Sequence, residues 1–118
     1  MALKAILGDV VLPSAARGSG THASGPIANS GATSNVVVLV HCTAVSGTSP
    51  TLNVVLQSSN DGSSWSSVAS SATTQLTAAG NAMSNALVDD DYIQVLATVG
   101  GTDTPTATCR VAVLVIPS

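Results

Sequence analysis

Four stretches of this chain alternate their side chains with a period of two, and that period limits what it can fold into. "NVVVLVHCTAV" (35–45) is a long β-branched run. "TLNVVLQSS" (51–59) sets Leu52, Val54 and Leu56 on one face, with Asn53, Val55 and Gln57 opposite. "DYIQVLATV" (91–99) aligns Ile93, Val95, Ala97 and Val99, and "TATCRVAVLVI" (106–116) aligns Cys109, Val111, Val113 and Val115. Successive strand residues point to opposite faces, so each run reads as a half-buried strand. The best helical candidate, "MALKAILGDVV", is short and holds a Gly. Weaker strand signals fall at 20–28, 64–70, 73–78 and 82–88.

Turn chemistry separates the runs. "SGTSP" (46–50), "NDG" (60–62), "AAGN" (78–81) and "GGTDTP" (100–105) carry the Gly, Asn, Asp and Pro that reversals favour. Turns every 8 to 12 residues or so, with no helix between strands, predict an all-β fold. We expect an antiparallel β-sandwich, Ig-like or jelly-roll, of about eight strands. Val38, Val40, Leu52, Val54, Leu56, Ile93, Val95, Val111 and Val113 should form its core. The 118 residues suit one domain. A propeller needs several blades of about four strands each, more than this chain supplies.

Hydrophobic residues make up 45% of the chain and aromatics 2%, so aliphatic side chains must fill the core. Charged residues reach only 8%, against about 25% in ordinary domains. The exterior is then built from Ser, Thr, Ala, Gly and Asn, with little charge to oppose association. Lys4, Arg17 and Arg110 are the only Lys or Arg, and the net charge is −3, so no basic patch for nucleic acid can form. No apolar run approaches the roughly 18 residues of a membrane span. The first residues superficially resemble a secretion signal, but Asp9 and Pro13 interrupt them, so cytoplasmic synthesis is expected. Cys42 and Cys109 lie in apolar runs and read as two buried thiols, with a disulfide between facing strands as the alternative.

"SSNDGSSW" holds the single Trp. Ser58, Asn60, Gly62, Ser64 and Trp65 fit S-x-[ND]-x-G-x-[ST]-W, which resembles the Asp-box hairpin of sialidases and other propellers. One copy reads as a structural turn, with Gly62 taking positive φ and Trp65 capping the core; a sugar-stacking Trp is the alternative. Glu is absent, and no nucleophile, zinc or phosphate-loop motif occurs. No enzyme and no cofactor are expected. Asp89, Asp90 and Asp91 read as a solvated turn before a strand, against the alternative of a Ca²⁺ site.

Residues 1–19 are expected to form an N-terminal arm and 20–118 the sandwich. Leu3, Ile6, Leu7, Val10, Val11 and Leu12 need somewhere to bury, either as an edge strand or on a neighbour. "TAVSGTSPTLNVVLQSSNDGSSW" (43–65) and "DDDYIQVLATVGG" with "PTATCRVAVLV" resemble small β-sandwich virion proteins of tailed bacteriophages. The resemblance implies a capsid decoration or minor capsid protein that braces the major capsid protein on the virion exterior. A trimer or dimer is expected from the low charge and the apolar N-terminus. A tail or connector component, or a glycan-binding module on the virion surface, are the alternatives.

Overall fold

The computed structural model describes residues 7–29 and 33–117. Seven strands follow in chain order: β1 (Leu7–Gly18), β2 (Gly20–Ala23), β3 (Ile27–Ala28), β4 (Ser34–Ser59), β5 (Ser66–Ser67), β6 (Gly80–Val88) and β7 (Tyr92–Pro117). All pairings are antiparallel and belong to one sheet. The fold is all-β, as the period-two runs require.

The spine is a ribbon of β4 against β7, 26 residues each, paired from Ser34↔Pro117 to Ser59↔Tyr92. Straight strands of that length would span about 86 Å at roughly 3.3 Å per residue. The molecule's longest dimension is 52 Å, so the ribbon bends back on itself. Its register shifts between Cys42 and Thr51, which marks the bend. Positive φ gathers there, at Gly47, Ser49, Gly101, Asp103 and Thr104. Gly47 has no substitute: a Cβ would lie 2.8 Å from Pro105 Cα. "SGTSP" and "GGTDTP" are thus facing halves of one bend, still paired to each other, rather than separate hairpin turns. Thr48 Oγ1 donates to the Asp103 carboxylate, and Ser46 Oγ sits 2.5 Å from Thr106 Oγ1.

The bend makes two layers. The first orders β1, the C-terminal half of β7, the N-terminal half of β4 and β6. The second orders β2 and β3, the N-terminal half of β7, the C-terminal half of β4 and β5. Beyond β5, amide bonds such as Val68 N to Leu56 O and Thr73 N to Val54 O carry that edge along β4, to a bridge at Leu52↔Leu76. Counting β2 and β3 as one run and the two halves of each long strand separately gives eight runs in two layers of four. This is the winding of a jelly roll, which decides between the two expected sandwich types.

On either side of the bend, one face of the ribbon is buried. Val36, Val38, Val40, Cys42, Leu52, Val54 and Leu56 of β4 join alternate residues of β7, from Ile93 to Val99 and from Ala107 to Val115, in a single cluster. All nine expected core residues are in it. At about 1.5–3 kcal/mol per large aliphatic side chain, this face dominates stability.

The N-terminal boundary needs correcting. Leu7–Gly18 is no free arm: it is the outer strand of the first layer, paired from Leu7↔Val115 to Gly18↔Thr106. Leu12 is a core residue and Val11 packs against the core. The burial that Val11 and Leu12 need is supplied within the fold, whereas Val10 stays exposed. Leu3 and Ile6 lie outside the described residues.

Candidate functional site

The end of β4 carries the densest polar network. Asp61 Oδ1 accepts the amides of Ser63 at 2.8 Å and Ser64 at 2.9 Å, and the Ser59 hydroxyl at 2.9 Å. Ser59 Oγ in turn accepts the amides of Asp61 and Gly62. The Ser64 and Ser63 amides, then the Ser59 hydroxyl, hold the exposed Asp61 carboxyl at about 2, below its usual 3.8. Each stabilises the charged form. Gly62 takes φ of 76°, and a Cβ there would meet Tyr92 Cδ2 at 3.9 Å.

The hairpin is therefore closed by Ser59 and Asp61, residues the motif reading passed over. Asn60 faces the other way, its Oδ1 accepting the Asp91 amide at 3.4 Å. Ser58 donates to Asp90 Oδ2 at 2.6 Å. A strand sends neighbouring side chains to opposite sides, so Ser58 and Ser59 serve different partners. The ring at the turn is Tyr92. Trp65 is half-buried, and the partly buried side chains on the core at that end are Val68 and Leu76.

Asp89–Asp91 joins β6 to β7 as a bonded turn. Buried Asn29 donates through Nδ2 to the Asp90 carbonyl at 2.9 Å and the Val88 carbonyl at 3.3 Å, and its amide donates to Asp91 O at 2.8 Å. Among the described residues no three His, Cys, Asp or Glu side chains converge where a cation would sit. Cys42 and Cys109 stand opposite each other in the register, both buried and both free thiols. Burial, opposed by nearby Arg17, pushes the Cys109 thiol up.

The outer face of the first layer has a different character. The register lines up Val10, Ala112, Leu39 and Met83 across four strands. Val10 is 44% exposed, Leu39 42%, Met83 66% and Leu87 69%. Half-buried Val37, Leu114 and Ile116 extend the apolar surface. Beside it runs a polar row of Arg110, His41 and Asn81, with His41 Nδ1 2.5 Å from Asn81 Oδ1. The two rows line a depression of about 490 Å³. Among the described residues Arg110 makes no ion pair, which leaves its guanidinium available. Of the six expected interface residues, Val10 alone is described on this face.

No family model matches the chain, and no curated protein matches it. A solved structure of infectious bursal disease virus, Gx strain, resembles it at a TM-score of 0.47 and 13% identity. The alignment covers 95% of this chain and 32% of that one, so this chain spans about a third of its length.

Proposed function

We propose that the chain is a structural virion protein, of the capsid decoration or minor capsid type, which binds and stabilises a major capsid lattice. It works by surface contact, without catalysis or cofactor, on the exterior of a phage particle, and it self-associates as a dimer or trimer. The observation that carries this reading is the exposed apolar outer face of the first layer. A few hundred Å² is the usual size of a monomer's largest apolar patch, and such patches mark contact sites. The rest of the surface has few charges to keep copies apart. A jelly roll is also an architecture that viral capsid domains use. The motif likeness to tailed-phage virion proteins points the same way.

The test is the composition of purified particles. A copy number on the order of hundreds supports the capsid, whereas roughly six to twelve copies supports the tail or connector reading, because copy number follows symmetry. Absence from particles overturns both. On the capsid reading, Leu39→Lys combined with Met83→Lys should reduce occupancy on particles while leaving the fold intact.

A further inference from the structure

A sandwich of two layers has four edges, and each exposes backbone amides and carbonyls to pairing unless something blunts it. Three edges here are blunted. β1 carries Pro13 and two register shifts, and Arg17 spends its guanidinium on the Pro13 carbonyl at 2.7 Å and the Ala15 carbonyl at 3.2 Å. β2 and β3 are short, four and two residues, and Gly25 and Pro26 separate them. β5 has two residues.

The fourth edge is β6. It runs nine residues, "GNAMSNALV", with no Pro and no charged side chain. It pairs with β4 from Ser34↔Val88 to Cys42↔Gly80 without a shift, so its backbone is regular. Among the described residues its other side pairs with no strand. Among the described residues the two most exposed large apolar side chains, Met83 and Leu87, stand on this same strand. An unguarded backbone edge and an unguarded apolar surface thus coincide.

We propose that β6 is a self-pairing edge: two copies of this chain join antiparallel through Gly80–Val88, extending the first layer across a two-fold axis. The inference rests on the self-association in the reading above and does not require the virion. It favours the dimer over the trimer, because a two-fold contact closes on itself.

Full overlap of the nine-residue strand centres the axis at Ser84. Met83 then faces Asn85 of the second copy, and Leu87 faces Asn81 of the second copy. Nothing charged is opposed along the strand. The Asp89–Asp91 runs end up at opposite ends of the shared sheet, about 30 Å apart at 3.3 Å per residue, beyond the roughly 10 Å screening length of ordinary salt. The occupant that fits is therefore the chain's own β6: regular, uncharged and equally open.

The test uses the purified chain in solution, with its mass followed against concentration by light scattering and sedimentation. The wild type should be a dimer. Met83→Lys with Asn85→Lys places like charges opposite each other twice, and should weaken the dimer at least about tenfold. Both side chains are exposed, so the melting temperature of the monomer should hold. Thr21→Lys with Ala23→Lys, on the β2 edge, should leave the dimer unchanged. Hydrogen exchange should slow across residues 81–87 as concentration rises. An oligomer that survives the β6 lysines, or that the β2 lysines dissolve, overturns the edge assignment and leaves self-association standing. A wild type that stays monomeric overturns both, and particle occupancy then judges the virion reading separately.

Discussion

On the outer face of the second layer, Gln94 donates to Gln57 at 2.7 Å and Gln75 to Asn53 at 3.4 Å. At the corresponding outward positions of the first layer stand Leu39, Met83 and Leu87, well exposed. The two layers are built from the same two strands, on the same pleat, over the same aliphatic interior. Along those two strands they differ in what the outward residues do. One layer satisfies its outer polar groups internally. The other presents aliphatic surface that water disfavours at about 25 cal/mol per Å². The inward face explains the fold and the outward difference points to the partner.

The largest effect is expected from removing β1. Deleting residues 2–18 exposes the C-terminal half of β7 and takes Leu12 and Val11 out of the core. The expected loss is at least about 3 kcal/mol from those side chains alone, before any backbone pairing is counted. Denaturant titration measures it, and full stability in the truncated chain would restore the free arm. Next comes the contrast between the two faces of β4. Leu56→Ala should lose about 2–5 kcal/mol, whereas Leu39→Ala should fall within about ±0.5 kcal/mol. Equal losses would mean that the outer face is not open.

The two ends of the ribbon can be compared through their glycines. Gly47→Ala meets backbone at the bend and should lose about 1–3 kcal/mol by thermal melting. Gly62→Ala has room, so it should lose only about 1 kcal/mol, from positive φ alone. The reverse order would show that the bend yields and the hairpin does not.

The smallest effect is a pH dependence at the hairpin. Asp61 has a folded value depressed to about 2, so its contribution is present above pH 3.8 and is lost as pH falls through about 2. Replacing it, as in Asp61→Asn, should flatten the acid limb of a stability curve within that window and leave neutral behaviour close to the parent's. An unchanged acid limb would mean that its amide bonds do not persist in solution.

Much of the fold was legible because burial imposes a period of two and β-branched side chains suit a pleat. Leu52, Val54 and Leu56 could face only one way. The bend was harder to read. Gly47, Pro50, Gly100 and Pro105 signal a reversal equally well whether strands stop at it or pair through it. The partition of β1 escaped for a related reason: Pro13 and two register shifts erase alternation around Leu12. The hairpin's real acceptor, Asp61, was masked by a motif that fixes Asn60. The outer face of the first layer was legible in part. Leu39 and Val37 lie in "VVVLV" (36–40), where every residue is apolar, so periodicity alone could not tell the open side from the closed one.

The bent ribbon also sets the order in which the chain can find its structure. Contacts along it grow steadily more remote: Gln57 and Gln94 are 37 residues apart, Thr48 and Asp103 are 55, and Thr43 and Thr108 are 65. Closing a longer loop loses more chain entropy, and non-local pairing is slow, on the millisecond to second scale for sandwiches. The ribbon is therefore predicted to zip from the Ser59–Tyr92 end toward the bend, with the second layer forming ahead of the first. Pulse-labelled exchange during refolding would show amides at 52–58 protected before those at 36–42; simultaneous protection would mean that no such zipper operates. On this pathway the strand that completes the apolar layer, and the edge beside it, are the last parts of the molecule to become available to another copy.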